Sequence, residues 1–157
     1  MRRLPATHAI TVNGRATGEL QGDRGLTPQQ HLREVVSRLE GVAFYALCLW
    51  AMPPGQRLAD VDLRRWPQEY LQAAGSQERM TLEVRRLVDD EPFQYVLGHR
   101  MWGGAAAAPD EVIRWNGHTT AVRRFEVFTG VEAADVFSHY LATGWVPESV
   151  GLRHLPL

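Results

Sequence analysis

Two asparagine–glycine pairs, Asn13-Gly14 and Asn116-Gly117, constrain this chain more than any other feature. Both residue types tolerate positive φ, which a two-residue turn between right-twisted antiparallel strands demands, so each pair predicts a β-hairpin. The first joins a strand over His8–Val12 to a weaker one running from Arg15 towards Leu20. The second joins Val112–Trp115 to His118–Arg123. Between the hairpins, Arg79–Val88 alternates with Met80, Leu82 and Val84 on one side. Asp89-Asp90-Glu91-Pro92 supplies a turn there, and Phe93–His99 returns. The apolar run Val42–Ala51 predicts a central strand buried on both sides, and a last short strand falls between Ser149 and Leu155.

Helices are announced by their caps. Thr27-Pro28-Gln29-Gln30 is a capping box with proline at the first helical position. Leu32, Val35, Val36 and Leu39 then recur at helical spacing, with Glu34 and Arg38 paired on the opposite side and Gly41 as the stop. Thr129 and Glu132 form a second capping box, opening a helix that turns Val131, Ala134, Val136, Phe137, Tyr140 and Leu141 inward and closes at Gly144. The stretch from Ala59 to Gly75 also reads as helical, restarting at Pro67 after Trp66 and ending at Gly75. Gly103 to Pro109 reads as a loop. The sum is an α+β fold, with an antiparallel or mixed sheet of about six to seven strands and two or three helices packed on one face. One domain is expected over residues 1–157.

Composition narrows the function. All 17 basic residues are arginine, against 18 acidic ones, and the net charge of -1 argues against an electrostatically driven nucleic-acid binder. A single cysteine, Cys48, cannot form an internal disulfide and suits a reducing compartment. The basic N-terminus lacks the apolar stretch of a secretory signal, and the longest uncharged apolar run, Gly41 to Gly55, is too short to span a bilayer. The expectation is a cytoplasmic protein without membrane contact.

No motif carries chemistry. The six histidines have no metal-ligand spacing, no serine sits in a nucleophile elbow, and no glycine-rich loop precedes a capped helix. Cys48 lies in the most apolar segment, where a thiol behaves as a small hydrophobe. No catalytic residue, metal or cofactor is therefore assigned, and the chain reads as a binder rather than an enzyme. Tryptophan beside arginine is the composition of protein-binding hot spots, which singles out Arg114 and Trp115 with Arg123 and Arg124. Arg85 and Arg86 fall on the same group of hairpins; arginine there forks to carboxylates and stacks on tryptophan in ways lysine cannot. Asp89 and Asp90 are either solvated turn residues or a negative projection towards a basic partner. The alternative is a small biosynthetic enzyme or ligand-binding protein. Its pocket would lie between sheet and helices, lined by Trp50, Tyr95, His99 and His118.

The segment from Glu126 through Phe128-Thr129-Gly130 to Phe137, followed by Tyr140-Leu141-Ala142-Thr143-Gly144-Trp145-Val146-Pro147, resembles the ending of small actinobacterial proteins. It is also similar to the immunity proteins that neutralise deaminase-type polymorphic toxins. In that family a strand enters a capped helix, which ends in a Leu-Ala-Thr-Gly-like turn followed by proline and a final strand. The resemblance implies a non-catalytic protein that occludes a cognate toxin domain, and it transfers no catalytic residue.

Overall fold

The computed structural model describes residues 5–21, 25–100 and 108–157. Most of the expected Gly103–Pro109 loop, and Trp102 beside it, lie outside the described residues. Strands β1 (His8–Val12) and β2 (Ala16–Glu19) form the first hairpin. They are followed by α1 (Pro28–Ser37), β3 (Ala46–Ala51), β4 (Tyr70–Gly75), β5 (Met80–Val88) and β6 (Glu91–His99). The second hairpin, β7 (Glu111–Trp115) and β8 (His118–Val122), precedes α2 (Gly130–Thr143) and β9 (Val150–Leu155). Seven strands pair in the order β2-β1-β3-β4-β5-β6-β9, and β7-β8 form a separate two-stranded sheet. Every pairing is antiparallel.

The turn chemistry acts as expected. Asn13 and Gly14 take φ of 55° and 67°, Asn116 and Gly117 take 47° and 78°, and Asp89 and Asp90 close the β5–β6 hairpin at 51° and 66°. Both capping boxes form. The Thr27 side chain accepts from the Gln30 amide and that of Thr129 from the Glu132 amide, while each third-position side chain reaches back to the cap. Gly144, at φ 78°, caps α2.

Four expectations change. Val131, expected to face inward, stands 73% exposed on the first turn of α2, because the residues that meet the core there are Gly130, Ala133 and Ala134. The segment from Pro67 to Gly75 is not a helix. Leu71 and Ala73 stand opposite Leu49 and Leu47 on one side and Val84 and Leu82 on the other, so their period of two decides in favour of strand β4 over the helical propensity of Leu, Gln and Ala. A 3₁₀ turn over Leu58–Asp60 is the helical element that remains there. Helix α1 closes at Arg38, three residues before Gly41, whose φ of 93° serves the following bend. Strand β3 starts at Ala46 rather than Val42, because residues 41–44 turn outward and leave Val42 and Phe44 exposed.

Strand alternation divides the sheet. Ile10, Leu49, Leu71 and Val84 point into one hydrophobic cluster that also receives Leu32 and Val36 of α1 and Ala133 and Phe137 of α2. On the opposite side a smaller cluster surrounds Trp50, with Ala9, Met52 and Val61. Gly75 sits where the sheet meets the second hairpin, at φ 127°. A Cβ there would lie 2.4 Å from the Arg79 carbonyl oxygen and 2.9 Å from the Ile113 side chain, so only glycine fits. No helix of the described residues is long and apolar enough to cross a membrane.

Candidate functional site

The face opposite the larger hydrophobic cluster carries polar residues of the sheet. The strand registers set Thr17, Thr11, Cys48, Gln72, Glu83 and Val96 side by side in one row, ending at Arg153 on β9. Within the row, Thr11 and Thr17 share a hydroxyl–hydroxyl bond of 3.0 Å, and Trp50 Nε1 donates to Thr11 Oγ1 at 3.2 Å. Gln72 and Gln94 both donate from Nε2 to Glu83 Oε2, at 2.7 and 2.9 Å. The next row is small: Ala46 stands opposite Ala74, and Ala74 opposite Thr81. That drop in side-chain height opens a cleft of about 320 Å³.

The second hairpin walls this cleft. Ile113, 1% exposed, anchors it against Gly75, and the Asn116 amide donates to Gly41 O at 2.7 Å. Arg79 Nη2 meets Glu111 Oε2 at 2.7 Å. Trp115 and Thr120 line the cleft, with Trp115 Nε1 donating to Thr120 Oγ1 at 2.9 Å. Trp115 stacks on Tyr45 with ring centroids 6.0 Å apart and lies 4.8 Å from the His118 ring. Tyr45 is held in turn by Asn13, whose Oδ1 accepts its amide at 3.0 Å.

Two chemically suggestive groups lie in the cleft. Burial pushes the Cys48 thiol up to about 12, so it is a neutral lining group at physiological pH rather than a nucleophile. Glu83 is fixed in orientation by two amides on one oxygen. By contrast, Thr81, a residue 4% exposed, lines the cleft, and its buried hydroxyl has no hydrogen-bond partner. Such a group is costly to bury unmatched.

The residues singled out from sequence do not form one surface. Trp115 is at the cleft and Arg114 is exposed on the outer side of the same strand. Arg85 lies on the cleft side, its Nε donating to Gln68 O at 3.1 Å. Arg86, one residue on, points to the opposite side, with its guanidinium carbon 4.3 Å from the Trp145 ring centre and 5.9 Å from that of Tyr95. Asp89 and Asp90 form the exposed β5–β6 turn. Arg124 pairs with Asp110 at 3.0 Å, whereas Arg123 is 12% exposed beside Glu126. The four residues of the alternative pocket are likewise separate. Trp50 is buried in the smaller cluster, Tyr95 packs on the larger one, and His118 is exposed against Trp115. His99 donates from Nε2 to Val127 O at 3.0 Å and stacks on Phe128. Cavities of about 200 Å³ do occur elsewhere, one between α1 and β3 and one beside Glu126, but neither gathers those four.

Sequence reading missed Gln72, Thr81, Glu83 and Gln94. Their signal was the polar half of the alternation that placed Met80, Leu82 and Val84 in the core, a pattern that ordinary solvated strands share. It also missed the loop at residues 41–44. Glu40 Oε1 accepts the amides of Phe44 at 2.6 Å and Val42 at 3.2 Å, and these bonds hold its carboxyl below the usual 4.5. A depressed carboxyl contributes order above that ordinary value and loses it as pH falls through its own lower one. Hydrogen exchange at the Val42 and Phe44 amides is therefore expected to be slow at neutral pH and to lose its protection below about pH 4.5 after correction for intrinsic rates. In Glu40→Ala the protection should be absent at every pH.

Comparison with family models, curated proteins and solved structures returns no match for this chain.

Proposed function

We propose that this is a non-catalytic binding protein that holds a partner protein against its hairpin-walled sheet face. The observation that carries this reading is the second hairpin and the loop it bonds to, which stand beside the cleft. Trp115 stands beside the exposed Arg114, and the loop that receives the hairpin's hydrogen bond presents Val42 at 71% and Phe44 at 47% exposure. An aromatic, an arginine and exposed apolar side chains on neighbouring segments are the elements of a protein-binding hot spot. The neutral Cys48 thiol and the immobilised Glu83 carboxylate favour contact over covalent chemistry.

The C-terminal resemblance names the kind of partner: a deaminase-type toxin domain, occluded in the cytoplasm by steric and electrostatic contact. Co-expression with a toxin domain encoded beside this protein is expected to protect the host cell and to yield a complex that co-purifies. Toxicity that persists, with no complex recovered, would contradict the reading.

A further inference from the structure

We propose that the cleft is a binding site for a nitrogen cation, a guanidinium or ammonium carried on a short apolar stem. Among the described residues, Glu83 is the one charged side chain that lines the cleft. Its Oε2 takes both glutamine amides, which leaves Oε1 to accept from a ligand. Thr81 lies two residues away on the same side of β5, roughly 7 Å along the strand. Its buried hydroxyl lacks a partner and supplies a second polar contact. A guanidinium, with several donors in one plane, can engage a carboxylate and a hydroxyl together. Arg85, the nearest cation on this strand, is directed to the Gln68 carbonyl and does not line the cleft.

The rest of the cavity suits the stem. Ala46, Ala74 and the uncharged Cys48 form a small apolar floor, while Tyr45 and Trp115 are the aromatic wall against which a cation is favoured. A volume of about 320 Å³ matches one such group rather than a nucleotide or a folded segment. The cation could come from a free small molecule or from a side chain of the bound protein, since the recognising groups are the same. The inference stands or falls apart from the toxin reading.

The test is titration of the whole protein, followed by tryptophan fluorescence and calorimetry. The probes are agmatine, the peptide Gly-Arg-Gly with blocked ends, and the same peptide with citrulline in place of arginine. The arginine peptide and agmatine are expected to bind saturably, with dissociation constants on the order of millimolar. The neutral citrulline peptide should bind at least about tenfold more weakly. Tighter binding of the peptide assigns the site to a partner's side chain, and tighter binding of agmatine assigns it to a free cation. Glu83→Gln should weaken both by at least about tenfold. Thr81→Val should weaken both while raising the thermal midpoint of the free protein, because it removes an unmatched buried hydroxyl. This opposite movement of binding and stability separates a ligand contact from a structural one. No saturable binding of either cation, equal binding of the citrulline peptide, or unchanged binding in both variants would overturn the proposal.

Discussion

Glu126→Ala is expected to lower the unfolding free energy by about 3 kcal/mol, the largest single-site effect on stability considered for this fold. Glu126 is 1% exposed. Its two carboxylate oxygens accept Arg153 Nε at 2.7 Å and Nη2 at 3.0 Å in a bidentate fork, and Oε1 also accepts the Arg123 amide at 2.9 Å. The Arg123 guanidinium lies 3.7 Å away. Deleting the carboxylate strands these donors, and the cost of an uncompensated charge exceeds the net worth of the pair. The figure sits at the lower end of the usual range because the Arg153 side chain keeps 26% exposure and can recruit water. Glu126→Gln, which keeps shape and an acceptor but removes the charge, should fall between wild type and alanine. Urea unfolding measures all three. A loss under about 1 kcal/mol for alanine would mean that water replaces the fork without penalty.

Trp115→Ala is expected to weaken partner binding by about 2 kcal/mol, or roughly thirtyfold, with little change in the folded content of the chain. The ring is half-buried, stacks on Tyr45, and fixes the hairpin wall through its bond to Thr120. Alanine removes the aromatic contact area and loosens the wall at once. Trp115→Phe keeps the stack and should recover most of the affinity. The hairpin's own anchor, Ile113 against Gly75, is untouched by either change, so circular dichroism should remain that of the wild type. Isothermal titration of the proposed toxin-domain partner measures the affinities, and an alanine variant that binds as tightly as wild type would remove Trp115 from the interface.

The local parts of the fold were legible because they are written in residues with narrow conformational meaning. Asn13-Gly14 and Asn116-Gly117 require positive φ, and Thr27 and Thr129 each have a reciprocal third-position partner. Strand β4 was not legible, since of its inward residues only Leu71 is large, Ala73 and Gly75 being small, and their burial comes from the neighbours β3 and β5. The site was hidden for the same reason. Arg85 and Arg86 are adjacent in sequence yet point to opposite sides of the sheet, and Arg123 and Arg124 divide between a buried carboxylate and an exposed one. Gln72, Glu83 and Gln94, scattered along the chain, meet through cross-strand register. Trp115 was visible from sequence as an aromatic at a hairpin end. Its role as a cleft wall depends on the small row Ala46, Ala74 and Thr81 opposite it.

Hydrogen exchange of the protein with and without the proposed toxin-domain partner tests the central claim most directly. Binding at the hairpin-walled face should slow exchange at the loop over residues 41–44 and in β7 and β8, while the exposed side of α2 around Val131, 73% exposed, stays unchanged. Protection confined to α1 and α2, with the hairpin and the 41–44 loop unaffected, would place the interface on the other side of the molecule and contradict the account.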